Sequence, residues 1–333
     1  MLHHRARFRI DILSAVLTAT FMMAQPGATF SDSSMQLNRE AAIEPLVNVE
    51  WLAAHLDDPD IVVLDCTVSF GRSETGGIEI ASGRAAYQNG HIPSAGFADL
   101  VKDLAGPESS LRFSMPSPER FAAAMSALGI GDDSRVVLYD SNGSVWAARV
   151  WWMLRWIGFD RAAILDGGLA AWTASDRPLS TEPAEGSPGK LSVNLRRRLI
   201  ADRDEVLAAI DDDQVVIVDV LPEAHYRGDM AMYARPGHIP TALNIPVQLL
   251  VDVTGHFRSL DDVAALHTTD RSARHITYCG GGIAASAAAF VMTRLGYGDV
   301  AVYAASLQEW AADPANPMEV GVPPTAARQQ PEE

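Results

Sequence analysis

Residues 275–286 read HITYCGGGIAAS. The first five form a short run of strand-forming character, three glycines break it, and a small-residue helical pattern begins at once. A strand that turns sharply into a helix is the joint from which α/β folds are built. The chain has two cysteines. One of them, Cys279, stands on this joint, directly before three positions without side chains.

Working outward, the same joint occurs a second time. The stretch VVLYDSNGSVW (136–146) is again strand, Gly-containing turn and helix, with Asp140 where the other copy has Cys279. The flanks repeat as well. IVVLD (61–65), NGHIPSA (89–95), the helical run AARVWWMLRWIGF and then ILDGGLAAW (164–172) match VVIVD (215–219), PGHIPTA (236–242), the helical run ASAAAFVMTRLGY and then VYAASLQEW (302–310). Asp140 to Trp172 spans 32 residues and Cys279 to Trp310 spans 31. A repeat of this length is a duplicated domain, not a solenoid unit.

Within each copy, near-continuous Val/Ile/Leu runs alternate with helical patterns. That combination predicts a mostly parallel sheet covered by helices on both faces. SPERFAAAMSALGI (117–130) carries a Ser cap and a Pro at the first helical position, and DRDEVLAAI (202–210) opens on acidic residues suited to a helix N-terminus. The expected organisation is domain 1 over 45–180, a linker rich in Pro, Gly, Ser and Glu over 181–190, domain 2 over 191–322, and a disordered tail over 323–333.

The 333 residues are 48% hydrophobic and 20% charged, enough apolar material for two cores. A net charge of −16 excludes the electrostatic footprint of a nucleic-acid binder. Residues 1–28 read as an export signal, with Arg5, Arg7 and Arg9 before the apolar run ILSAVLTATFMMA (12–24). Location in the periplasm is the corresponding expectation, with a cytoplasmic or organellar protein as the alternative. No other run is long enough to span a bilayer. The nine histidines form no ligand-spaced cluster with the cysteines, so neither a metal nor another cofactor is expected. Cys66 ends IVVLDC and reads as a small buried hydrophobe.

Glycines let backbone N–H groups approach a ligand closely, and several such groups followed by a helix N-terminus make an anion cradle. A cysteine set there is expected to be a nucleophilic thiolate. The loop occurs twice and the thiol once. A structural need would apply to both copies, so Cys279 reads as the part added for chemistry.

The order of strand, GHIP, strand–Cys–Gly loop, helix and S-x-x-E-W resembles the tandem-domain rhodanese, or sulfurtransferase, family over about residues 45 to 320. The resemblance implies that domain 1 is inactive and that Cys279 carries sulfur as a persulfide. It would take that sulfur from thiosulfate or 3-mercaptopyruvate and pass it to cyanide or a thiol. It also implies a cradle of backbone N–H groups from Gly280, Gly281, Gly282, Ile283 and Ala284. Gly280 and Gly282 sit nearer the mercaptopyruvate pattern, but the hydroxyl of that pattern is absent at Ala284. No basic residue follows Cys279, so cations for a small anionic donor are sought in HYRGDMAMYARPGHIP (225–240), where Arg235, Arg227 and His225 are the substrate-binding candidates. His91 and His238 of the two GHIP motifs are expected to be structural. AASLQEW lacks the Asp-Gly that often precedes this Ser in the family it resembles, which leaves that segment without an assigned role.

With both halves of the cleft in one polypeptide, a monomer is expected. A C-x5-R phosphatase would need arginine at 285, where the chain has alanine. The remaining alternative is a non-enzymatic sulfur carrier or thiol sensor using the same cysteine.

Overall fold

The computed structural model describes residues 43–72, 78–184 and 186–321. The expected export signal (1–28) and tail (323–333) lie outside the described residues. No helix among them is long and apolar enough to cross a membrane.

Two five-stranded parallel sheets carry the fold. In the first half the strands are β1 (Leu46–Val47), β2 (Ile61–Asp65), β5 (Gly96–Phe97), β6 (Arg135–Tyr139) and β7 (Ala162–Leu165), in the order β1-β7-β6-β2-β5. An antiparallel hairpin, β3 (Val68–Arg72) with β4 (Ile78–Ser82), is inserted after β2. The second half has β8 (Ile200–Ala201), β9 (Val215–Asp219), β10 (Leu243–Asn244), β11 (Arg274–Tyr278) and β12 (Asp299–Tyr303), in the order β10-β9-β11-β12-β8. Read from the matching edge, the two orders are the same. The hairpin belongs to the first copy alone and was not anticipated.

Local signals explain the helices. Ser117 Oγ accepts the Arg120 N–H at 3.2 Å ahead of the helix Pro118–Ala127, and Asp202 accepts the Glu205 N–H at 2.9 Å ahead of Arg203–Ala209. The linker and the first residues after it lie along the first copy: the Gly189 N–H donates to the Ser126 carbonyl at 2.8 Å, and the Ser192 N–H to Asp132 at 2.7 Å.

The helices that follow the two Gly-containing turns, Val145–Trp156 and Ile283–Arg294, lie between the two sheets. A helix apolar on all sides must be buried on all sides. These two pack on each other within one hydrophobic cluster that spans both copies, with Trp151 meeting Phe290 edge-on at 4.8 Å. Each copy keeps a smaller cluster on its other face, closed by Trp172 in the first and Trp310 in the second. Burying a large aromatic side chain here is worth about 2–3 kcal/mol, so the copies share a core. That shared core brings the first copy to the cysteine of the second.

Candidate active site

β11 and β9 run in register, with Tyr278 opposite Asp219 at their C-terminal ends. Cys279 is the next residue, so it sits where parallel sheets place ligands, beyond the carboxyl ends of the strands. The side chain is 3% exposed. Its sulfur accepts the Gly282 N–H at 3.1 Å.

The helix that starts at Ile283 has Gly282 as its N-cap, without a side-chain cap. The first N–H groups of a helix have no acceptor within it and need one from outside. The first copy shows how that need is met. There the N-cap Ser144 makes no side-chain bond of its own. Asp140 instead reaches in. Its Oδ1 accepts the N–H groups of Asn142 (2.7 Å) and Ser144 (3.0 Å), and its Oδ2 those of Trp146 and Ala147 (2.9 Å each). Burial pushes the Asp140 carboxyl up, and these four bonds pull it back. The loop of the first copy is therefore an anion cradle occupied by its own carboxylate. By position in the two 12-residue helices, Trp146 and Ala147 correspond to Ala284 and Ala285. Of the expected cradle residues, Gly282 bonds the sulfur directly, and Ile283 and Ala284 begin the helix. Ala285 was not among them.

The three glycines have separate neighbours. A Cβ on Gly280 would lie 1.4 Å from the Tyr233 hydroxyl oxygen. One on Gly281 would come 3.1 Å from Gln308 Nε2. Gly282 has φ +80° and a Cβ there would come 2.6 Å from the Ala304 carbonyl oxygen and 3.1 Å from Arg149 Nη1. Only glycine takes that φ without strain. Tyr233 thus stands over the loop; burial, then the charges of Cys279 and Asp219, hold its phenol above the usual range.

The S-x-x-E-W segment, without a role in the sequence reading, holds the cysteine in place. The Cys279 N–H donates to Ser306 Oγ at 3.1 Å, and Ser306 donates to the Tyr303 carbonyl at 2.7 Å. Ser306 is fully buried with φ 53°, a left-handed conformation costly for a non-glycine residue. The matched residue in the first copy is Gly168, with φ 55°. In both copies the next residue ties the loop: the Leu307 N–H to the Cys279 carbonyl and the Leu169 N–H to the Asp140 carbonyl, each at 3.1 Å. Gln308 extends the clamp across the copies, donating to the Arg112 carbonyl at 2.8 Å and accepting the Arg112 N–H at 3.1 Å.

The expected cations are placed otherwise. Arg235 donates to the carbonyls of Trp310, Ala311, Asp313 and Asn316 at 2.7–3.1 Å, pinning the end of the second copy. Arg227 pairs with Glu223 and Asp229, each at 3.1 Å, in solvent. His225 Nδ1 lies 3.2 Å from the Met230 carbonyl. The sequence pattern showed arginines near GHIP but not the carbonyls that compete for them. The GHIP histidines are structural in both copies. His91 and His238 are buried, stack on Tyr87 and Tyr226 at 3.9 and 3.7 Å, and set Nδ1 against the carbonyls of those same residues. Both cysteines are free. Burial pushes the Cys66 thiol far up, in keeping with a hydrophobic role. Burial also moves Asp219, beneath the loop, up to about 7, against the pull of Tyr278 and the Leu221 N–H.

The rhodanese-like domain family matches residues 48–175 and again 202–313. The chain belongs to the rhodanese-like family. The 3-mercaptopyruvate sulfurtransferase of Escherichia coli is 32% identical over 283 residues, covering 82% of this chain and 97% of that protein. The thiosulfate sulfurtransferase of Rattus norvegicus is 30% identical over 279 residues, covering 80% and 91%. The crystal structure of the E. coli 3-mercaptopyruvate enzyme SseA superposes with a TM-score of 0.71 at 31% identity, over 79% of this chain and 99% of that one. This rhodanese-like chain is an enzyme of the sulfurtransferase class, with two rhodanese domains built on parallel sheets.

Proposed function

We propose that the enzyme moves sulfur through a persulfide on Cys279, with 3-mercaptopyruvate as its better donor and cyanide or a small thiol as acceptor. The observation that carries this is the pair of loops. The first copy fills its cradle with the Asp140 carboxylate, and the second presents a sulfur to the same kind of N–H groups. In the proposed step the Cys279 thiolate attacks the sulfur of the donor. The donor's C–S bond breaks, and its electron pair leaves on carbon as the enolate of pyruvate, which takes up the proton of the donor thiol. The product is Cys–S–S⁻, its outer sulfur lying where the first copy has Asp140 Oδ2, against the N–H groups of Ala284 and Ala285. Preorganised N–H donors of this kind stabilise charge as it develops. Cyanide then attacks the outer sulfur, forms thiocyanate and restores the thiolate.

The donor assignment rests on the loop and on the neighbouring cations. Thiosulfate is a dianion that needs cations at the mouth, while Arg227 and Arg235 are engaged elsewhere. Gly280 and Gly282 sit nearer the mercaptopyruvate pattern, although Ala284 lacks its hydroxyl. Thiocyanate production from the two donors tests this directly: kcat/KM should be larger with 3-mercaptopyruvate. A larger value with thiosulfate would overturn the donor assignment. No thiocyanate from either would overturn the enzymatic reading in favour of a carrier.

A further inference from the structure

A buried guanidinium stands against the cysteine loop, and it comes from the other copy. Arg149 is the fifth residue of the helix Val145–Trp156 and is 1% exposed. It is bonded through one arm only. Nη2 donates to the Phe113 carbonyl at 3.0 Å and lies 3.1 Å from the Met115 sulfur, while Nε and Nη1 have no partner among the described residues. Burying a cation with donors unused is costly, so such a group persists where its charge is used. Nη1 is the atom that a Cβ on Gly282 would approach to 3.1 Å. Gly282 in turn donates its N–H to Cys279 Sγ. Burial pulls the Arg149 guanidinium down to about 10, and the charge that opposes burial is that of Cys279.

The duplication again supplies the control. The fifth residue of the matching helix Ile283–Arg294 is Ala287. The loop of the first copy, which holds a carboxylate already bonded by four N–H groups, has no such cation from the second copy's helix. The loop with the thiol has one. The loop thiol and the buried helix cation are each present once, in different copies, and the packing of the two central helices brings them to the same loop.

We infer that Arg149 is a positioning residue for sulfur transfer: it supplies, from the copy whose own loop has no cysteine, the cation missing from the Cys279 loop, and steadies the negative charge of the thiolate and then of the persulfide. This assignment rests on the persulfide reading above, and it gives the inactive domain a part in the reaction. A charge behind the loop raises the local concentration of anions at the sulfur and lowers the energy of a sulfur-centred anion, without gripping the donor.

The test compares full-length wild type with Arg149→Met, which removes the charge, and Arg149→Lys, which keeps it. Arg149→Gln, which retains a donor for the Phe113 carbonyl, replaces the Met variant if that chain does not fold. The first readout is alkylation of Cys279 by iodoacetate and by iodoacetamide, followed on the Cys279 peptide. The anionic-to-neutral rate ratio should fall about tenfold in Arg149→Met and stay within about twofold in Arg149→Lys. The second is turnover with 3-mercaptopyruvate and cyanide. In Arg149→Met kcat should fall roughly a hundredfold with KM nearly constant, while the melting temperature holds or rises. An unchanged reagent ratio in the charge-free variant, or a kcat loss that Lys does not restore, would overturn the assignment. The alkylation ratio needs no turnover. If the wild type makes no thiocyanate while the ratio still falls in Arg149→Met, the sulfurtransferase mechanism sinks and the placement of Arg149 stays supported.

Discussion

Asp140→Ala should lower the melting temperature by roughly 10 °C, a loss of about 3–5 kcal/mol. Asp140 offers no thiol, yet its carboxylate ties down the turn of the first copy. Its carboxylate accepts four backbone N–H groups at 2.7–3.0 Å and is buried. Removing it leaves those donors without partners inside the protein, and each unsatisfied buried group costs about 1–3 kcal/mol. Relief from burying the carboxylate offsets part of that sum. Asp140→Asn keeps one acceptor oxygen and should fall between the two. Calorimetric melting of the three proteins checks this, and an alanine variant within about 1 kcal/mol of wild type would mean that the carboxylate does not hold the loop.

Gly282→Ala should damage stability and catalysis together. The added methyl group has φ +80° to contend with, and it meets the Ala304 carbonyl oxygen at 2.6 Å, which is backbone and cannot swing away. The left-handed conformation alone costs about 1–2 kcal/mol. Relieving the clash moves the Gly282 N–H off the sulfur, and loss of one such donor lowers kcat by roughly 10²–10³. Gly281→Ala is the internal comparison. Its methyl comes to 3.1 Å from Gln308 Nε2, the end of a side chain, and meets backbone only at an ordinary 3.7 Å from the Arg112 carbonyl oxygen, so the effect should be much smaller. Equal effects at 281 and 282 would contradict this account of the loop.

The duplication made the fold legible. Matching strands, GHIP motifs and turn residues predict two parallel α/β halves, because apolar strand runs and capped helices are local patterns. The inserted hairpin β3–β4 escaped because it has no counterpart in the second copy, although VSFGR (68–72) and IEIAS (78–82) do alternate apolar with small or polar residues. At the site, Cys279 and its glycines stood out as an exception within a repeat. What lay beyond the sequence was long-range. Ser306 gave no sign that its hydroxyl accepts the Cys279 N–H, since the two are 27 residues apart. Arg149 sat in AARVWWMLRW like any helical arginine, and only the packing of two apolar helices shows that its guanidinium is buried at the other copy's loop. Arg235 misled for the same reason: proximity to GHIP in sequence said nothing of the four carbonyls folded around it. One signal for Arg149 was in reach, because the matched position of the second helix is alanine.

The central claim is that one sulfur atom is held on Cys279. Peptide mass mapping after exposure to 3-mercaptopyruvate tests it most directly. The Cys279 peptide should gain the mass of one sulfur, lose it on addition of cyanide as thiocyanate appears, and show no gain in Cys279→Ser, while the Cys66 peptide stays unchanged. Sulfur found on Cys66, or thiocyanate formed at the wild-type rate by Cys279→Ser, would contradict the account.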